Sequence, residues 1–140
     1  MLLGGPGKYT AGFFGKYLNS YGSADSGEPL SYVPPGWSEW VGLQGNSRYY
    51  GYTLSVNGVT EKHGSDYATD YFTDLLHNRS VAFIRKALLQ GDGESAAVVK
   101  PMLAVVHTPA PHRPSTPAPQ YMNSFTHLKA PRTPSWNYIS

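Results

Sequence analysis

The sequence predicts an α/β fold in which a mixed sheet is flanked by helices and carries a β-hairpin insertion. Residues 70–89 repeat apolar side chains at intervals of three and four, which is typical of an amphipathic helix. Residues 101–107 then contain a short apolar run without alternation. A helix followed by such a strand is what α/β packing produces, because the strand is covered on both faces.

The hairpin is predicted from residues 49–63, where apolar and polar side chains alternate around Asn57-Gly58. Both residues of this dipeptide tolerate a positive φ, as a two-residue hairpin turn requires. Upstream, residues 13–18 have the sequence FFGKYL and predict a short buried strand. Between these two elements, residues 23–36 are rich in Ser, Asp, Gly and Pro and predict a surface loop.

The ends of the helix and the last part of the chain are predicted from local signals. Thr69 or Asp70 is the expected N-cap, Gly91 follows the last turn, and a bend is expected near Asn78. Eight of the twelve prolines lie at position 101 or later. The sequence therefore predicts a proline-rich loop region over residues 108–140, with at most one or two helical turns.

Composition limits the class of protein. The 140 residues are 40% hydrophobic, which is enough to form the core of one domain. The net charge of +2 comes without a basic run, which disfavours nucleic acid as a partner. The chain contains no cysteine, and this excludes disulfides, thiolate zinc sites and a cysteine nucleophile within it. No apolar stretch is long enough for a transmembrane segment, and residues 1–10 lack the apolar core of a signal peptide.

Two basic side chains lie where predicted strands end. Lys16 belongs to the strand at 13–18, and from the residues alone a surface lysine is the alternative to an anion-binding one. His112 follows the apolar run at 101–107 and stands between two prolines. Prolines fix φ and lower the entropy cost of holding the imidazole in place, although a solvent-facing loop histidine is again the alternative.

Four stretches in order along nearly the whole chain carry a family resemblance: GKYLNSYG, VPPGWSEWVGLQGNSRYYGYTLSVNG, EKHGSDYATDYFTD and TPAPHRPSTPAPQY. They resemble the sulfatases, and within them the branch of the N-acetylglucosamine-6-sulfatases and the extracellular heparan endosulfatases. The resemblance implies that residues 1–140 are an internal fragment of a sulfatase catalytic domain. Such domains are of the alkaline phosphatase type, with a mixed sheet between helices.

The resemblance also implies cofactors, a substrate and a location. Family members carry a C-x-P-S-R motif whose cysteine is oxidised to formylglycine, and acidic residues that bind calcium. The motif and one acidic pair would precede this chain and a second pair would follow it. Formylglycine and the calcium ligands are therefore expected to be absent from these 140 residues. The implied substrate is a sulfated glycosaminoglycan, and the implied location is lysosomal or extracellular.

The family motifs assign roles to two residues of this chain. The G-K motif matches Gly15-Lys16, which implies that Lys16 faces the sulfate while Gly15 lets the backbone pass close to the ligand. Many members have a histidine where this chain has Leu18. The P-H-x-P motif matches the residues around His112, which is expected to donate a hydrogen bond to the ester or leaving-group oxygen. These two catalytic residues should converge at one edge of the sheet.

For other candidates a structural role is the favoured interpretation. His63 could line a sugar pocket, but a histidine at the end of a hairpin is more often exposed. Asp70 and Asp74 have a spacing that can bind metal, yet aspartate near a helix start is usually a cap. His107 is expected to be structural or peripheral. Four aromatic residues are expected to anchor the core or the loops rather than to stack on sugar rings: Trp37, Trp40, Tyr49 and Tyr50.

The sequence leaves the function open between different classes. The first hypothesis is hydrolysis of the 6-sulfate of N-acetylglucosamine in heparan or keratan sulfate, with the 140 residues inactive when alone. The alternative is a catalytically inactive glycosaminoglycan-binding or interaction protein, for which a net charge of +2 is small. A truncated product without a stable fold is a third possibility, because a sheet without its neighbours exposes strand edges. Asn78 heads an N-x-S acceptor, which matters for glycosylation if the protein is secreted.

Overall fold

A computed structural model describes residues 9–24, 27–89 and 101–137. These residues form one five-stranded mixed sheet with the order β4-β3-β2-β1-β5. The strands are β1 Thr10–Lys16, β2 Glu39–Leu43, β3 Thr53–Val56, β4 Val59–Lys62 and β5 Met102–His107. The helices are α1 Tyr67–Asp70 and α2 Phe72–Leu89, and a 3-10 turn spans Pro119–Tyr121.

β1 lies between two parallel neighbours, β2 and β5, while β3 and β4 extend the sheet in antiparallel fashion. The prediction that the strand near residues 13–18 pairs with the one at 101–107 is confirmed, because Phe13 of β1 is in register with Val105 of β5. The predicted strand itself was placed too late in the sequence, since β1 begins at Thr10 and ends at Lys16. The α/β class with a mixed sheet and a hairpin is correct.

The core covers both faces of β1. Phe14 points to the face covered by α2, where it meets Leu76 and Phe83. Phe13 points to the opposite face and stacks on Trp40, with ring centroids 4.6 Å apart. Successive side chains of a strand alternate between faces, so a continuous apolar run can fill both layers.

The hairpin forms at the predicted dipeptide. Asn57 has φ 50° and Gly58 has φ 86°, as a two-residue turn of this kind requires. The Asn57 side chain also accepts a hydrogen bond from the Trp40 backbone N–H at 2.8 Å, and its own N–H donates to the Trp40 carbonyl. The turn is thereby tied to β2, a strand that the sequence analysis did not predict.

The helix at 70–89 was predicted with the wrong start. Asp66 is the N-cap of α1, and its carboxylate accepts from the backbone N–H groups of Ala68 and Thr69, so neither Thr69 nor Asp70 is the cap. Tyr71 then adopts an extended backbone with ψ 111° and separates α1 from α2. α2 runs without interruption from Phe72 to Leu89, and the bend expected near Asn78 stays a prediction.

The loop predictions hold where the structure describes the chain. No β-strand or α-helix lies in the described part of residues 23–36, where Ala24 has a 3-10 conformation, and residues 108–137 contain one 3-10 turn between irregular segments. Gly91 and its predicted C-cap role lie outside the described residues. In the part of the chain that is described, neither helix has the length and apolarity needed to cross a membrane.

Candidate functional site

Three parallel strands end at one edge of the sheet. Gly15 is in register with His107 of β5, and Lys16 is in register with Leu43 of β2. The segments that leave β1, β2 and β5 therefore start side by side. The carboxyl edge of parallel strands is where α/β folds place their ligands.

Lys16 is the last residue of β1 and is half-buried. Its ammonium donates a hydrogen bond to the Asn19 side-chain oxygen, and its carbonyl lies 3.2 Å from Nδ1 of His107. None of the ion pairs found among the described residues includes Lys16. A partly desolvated ammonium whose partner is a neutral amide keeps its charge available for an anion.

The structure gives a reason for a glycine at position 15 that the sequence analysis did not name. Its φ is +121°, and a Cβ placed there would lie 1.9 Å from the carbonyl oxygen of His107. Glycine is thus needed because β1 approaches the backbone of β5. The expectation that Gly15 also lets the backbone pass close to a ligand stays a prediction.

His112 lies in a turn a few residues beyond β5. Its N–H donates to the Pro109 carbonyl at 2.8 Å, and its carbonyl accepts from the Ser115 N–H at 2.8 Å. The ring is exposed, and Nδ1 lies 2.7 Å from the Arg113 carbonyl oxygen, which can only accept. This contact requires the proton on Nδ1 and directs Nε2 away from the backbone.

Tyrosine side chains hold the His112 turn against the body of the domain. The Tyr49 hydroxyl donates to the His112 carbonyl at 2.9 Å, and the Tyr71 hydroxyl donates to the Thr116 carbonyl at 3.0 Å. Both tyrosines are buried and pack on Ala118. Burial, and secondly the neighbouring Tyr71, raises the pKa of Tyr49, so its hydroxyl stays protonated and can donate. We call Tyr49 and Tyr71 the tyrosine clamp.

The fold thus brings the segments of Lys16 and His112 to the same sheet edge, on adjacent strands. Their catalytic roles stay predictions. His107, expected to be structural or peripheral, packs its ring edge-on against Phe13 at 5.4 Å and meets the Lys16 carbonyl. Leu18, which occupies the position of a histidine in many members of the resembling family, is exposed just beyond β1.

His63 is not exposed, contrary to the sequence expectation. Its side chain is 11% exposed, it stacks on Tyr52 at 4.8 Å, and its two ring nitrogens lie 2.7 Å from Glu61 and 3.4 Å from Asp70. Arg79 completes the cluster by pairing with Glu61. The residue links the hairpin to α1 and α2, which is a structural role.

This cluster shifts the pKa of both carboxyl groups. Burial raises the pKa of Glu61, but hydrogen bonds from Arg79 and His63 outweigh burial and leave the pKa below its ordinary value. Burial likewise raises the pKa of Asp70, and hydrogen bonds from the Asp66 backbone and from His63 bring the pKa below its ordinary value. The folded cluster therefore favours both ionised carboxylates.

Asp70 and Asp74 do not share a ligand site. Asp70 accepts from the Asp66 N–H at 3.0 Å, while Asp74 lies 3.0 Å from the Tyr67 hydroxyl. Among residues 9–24, 27–89 and 101–137, no group of three His, Asp or Glu side chains could hold a metal ion. The resemblance expects the calcium ligands outside these 140 residues, and that expectation stays a prediction.

The aromatic residues behave as predicted. Trp40 and Tyr49 are buried in the core, and Trp37 and Tyr50 are partly buried against it. Trp40 donates through its indole N–H to the Tyr21 hydroxyl at 3.0 Å, which anchors the loop before β2. They form core and loop anchors rather than an open sugar platform.

The sequence analysis missed the segment that follows β2. Residues 44–48 leave the same sheet edge as Lys16 and line a groove of about 540 Å³. The Gly45-Asn46-Ser47 turn after the apolar run EWVGL was the available signal, because polar turn residues at the end of a buried parallel strand lie at the ligand-binding edge.

The sequence was compared with family models, and the fold with solved structures. No family model matches the sequence. A solved structure of BT4656 in complex with its substrate D-glucosamine-2-N,6-O-disulfate superposes with a TM-score of 0.60 at 21% identity, covering 91% of this chain and 22% of that one. At this identity the likeness concerns the fold.

Curated relatives then give the family. The N-acetylglucosamine-6-sulfatase of Capra hircus is 47% identical over 129 residues, and that of Homo sapiens is 45% identical over 129 residues. The extracellular sulfatase SULF-1 homolog of Drosophila melanogaster is 45% identical over 130 residues. These matches cover 92%, 92% and 93% of this chain and 21%, 22% and 10% of the relatives. The chain belongs to the sulfatase family and spans about a fifth of the length of the N-acetylglucosamine-6-sulfatases it matches.

Proposed function

We propose that this chain is part of a sulfuric ester hydrolase of the N-acetylglucosamine-6-sulfatase type that acts on heparan or keratan sulfate. The observation that carries the proposal is the shared edge of β1 and β5, from which Lys16 and the His112 turn both leave. The names of the relatives and the sulfated glucosamine in the complex of the structural neighbour support the substrate class.

Lys16 would bind the sulfate group. Cleavage of a sulfate ester breaks an S–O bond and builds negative charge on the leaving oxygen and on the sulfonyl oxygens. An ammonium at this edge stabilises that charge more than it stabilises the ground state. Because its only side-chain hydrogen bond among the described residues is with Asn19, no carboxylate there competes with the substrate.

His112 would donate a proton to the leaving oxygen. Its Nδ1 proton is directed at the Arg113 carbonyl, so Nε2 carries a proton only when the ring is cationic. The proposed donor is therefore the imidazolium. The tyrosine clamp fixes the backbone at His112 and so limits where the ring can lie.

We propose that the nucleophile and the calcium ligands come from polypeptide other than these 140 residues. The chain has no cysteine that could become formylglycine, and its described residues offer no set of metal ligands. Calcium and formylglycine would supply substrate polarisation and the attacking group in the complete enzyme. We further propose a lysosomal or extracellular location, in which the exposed Asn78 could accept a glycan. The name of the Drosophila melanogaster relative supports the extracellular one.

A chimeric enzyme tests the proposal. Residues 1–140 replace the matching segment of the human N-acetylglucosamine-6-sulfatase, and release of sulfate from N-acetylglucosamine-6-sulfate is measured. We expect turnover, because the chain would contribute Lys16 and His112 in their proper places. A folded chimera without turnover, with a thermal transition like that of the human enzyme, argues for the inactive glycosaminoglycan-binding alternative.

A further inference from the structure

A polar groove begins directly after Leu43, the residue of β2 that is in register with Lys16. It has a volume of about 540 Å³, within the range of small-molecule sites, and is formed by the segment between β2 and β3. Amide and hydroxyl side chains from Gln44, Asn46, Ser47 and Thr53 line it together with Arg48. Such a lining can bind a hydroxylated ligand through several hydrogen bonds.

The groove is held next to the segment that follows Lys16. The Gly45 N–H donates to the Tyr21 carbonyl at 2.9 Å, and the Gln44 side-chain amide donates to the Gly22 carbonyl at 2.8 Å. Lys16 is itself in register with Leu43, the last residue before the groove. A ligand group at Lys16 and another in the groove could thus belong to one molecule.

The groove is cationic. None of its lining residues is acidic, and Arg48 is exposed. Among the described residues, Arg48 takes part in none of the side-chain hydrogen bonds or ion pairs found, whereas Arg79 is engaged by Glu61. A guanidinium without a protein partner is suited to bind a sulfate-like or carboxylate group through two parallel hydrogen bonds.

We propose that this groove, which we call the Arg48 groove, binds a second anionic group of the sulfated glycan, either a sulfamate or a carboxylate. This rests on the proposed function, because it places the two anionic groups of one glycan at Lys16 and at Arg48. Arg48 is a specificity-determining residue in this arrangement. It selects glycans that carry charge beyond the ester to be cleaved.

Binding to the 140-residue chain tests the inference without catalysis. Backbone amide shifts of residues 44–48 are followed by NMR during titration with N-sulfoglucosamine, with a uronic acid monosaccharide and with neutral N-acetylglucosamine. We expect the amides to shift with at least one anionic sugar, and the comparison of the two identifies the preferred group. Arg48→Gln should weaken that binding roughly fivefold, the scale of an exposed charged hydrogen bond.

Arg85→Gln is the matched control, because Arg85 is an exposed arginine on α2 and does not line the groove. It should leave the titration unchanged. Shifts that are equal for neutral and anionic sugars, that survive Arg48→Gln, or that do not occur with any sugar overturn the inference. The chimera assay separates this inference from the proposed function. Turnover without groove binding refutes only the inference about the Arg48 groove, and groove binding without turnover refutes only the proposed hydrolase activity.

Discussion

Removal of one hydroxyl from the tyrosine clamp should loosen the His112 turn without unfolding the domain. Tyr49 is 3% exposed, so Tyr49→Phe keeps the packed ring and deletes only the 2.9 Å hydrogen bond to the His112 carbonyl. That carbonyl keeps the Ser115 N–H, so no buried acceptor is orphaned. The expected cost is therefore the net value of one hydrogen bond, about 1 kcal/mol, which corresponds to roughly fivefold more frequent opening of the turn.

Hydrogen exchange of the Ser115 amide measures that opening directly, because this N–H is bonded to the His112 carbonyl. Tyr49→Phe should speed its exchange about fivefold. The Asn57 amide, bonded to Trp40 in the hairpin, serves as the internal reference and should not change. Tyr50→Phe is the control variant, since its hydroxyl makes none of the hydrogen bonds found in the described chain. An unchanged Ser115 rate, or equal acceleration at Asn57, refutes the clamp.

Three further predictions concern strand packing, pH and the isolated chain. Gly15→Ala should destabilise the domain by more than about 2 kcal/mol in urea unfolding, because it combines a positive φ with a clash against the His107 carbonyl; a change within experimental error contradicts this. Glu61 and Asp70 have lowered pKa values in the fold, so their contribution to the free energy of unfolding should be fully present above about pH 5 and should be lost as the pH drops below about 4. His63→Gln should make this loss of stability in acid smaller. Identical pH profiles of both proteins would count against the cluster. The 140-residue chain alone should release no sulfate from an aryl sulfate, with or without calcium, because it holds no residue that can become formylglycine.

Local chemistry explains which elements the sequence predicts well. Asn57-Gly58 defines its own turn, and the unalternating apolar run at 101–107 favours a strand, so the hairpin and β5 were predictable. The expectation that this strand is covered on both faces was wrong, because β5 is the edge strand of the described sheet and Val106 is 41% exposed. β2 has only five residues and shows no periodicity, and it becomes a strand because β1 and β3 supply its partners. Burial that depends on long-range pairing leaves little trace in a short segment.

The candidate site, like the fold, could be predicted from the sequence only in part. Lys16 and His112 were found through family motifs, and the structure adds that their segments leave adjacent parallel strands. His63 was misjudged because its burial depends on Tyr52 and on carboxylates from two other elements. The Asp66 N-cap was a local signal that the sequence analysis overlooked. The break between α1 and α2 at Tyr71 was not predictable in the same way, since the Tyr71 hydroxyl bonds the distant Thr116 carbonyl, a contact that no local propensity encodes.

Steady-state kinetics of Lys16→Ala and His112→Ala in the chimera test the central claim most directly. Both variants should lower kcat by about a hundredfold or more while KM for the sulfated sugar changes little, because the charges they stabilise build up in the transition state. Leu18→Ala, at an exposed position beside Lys16, is the control and should retain activity. Rates of both variants within about twofold of the parent, less than roughly 0.5 kcal/mol of barrier, would contradict the assignment of Lys16 and His112 as catalytic residues.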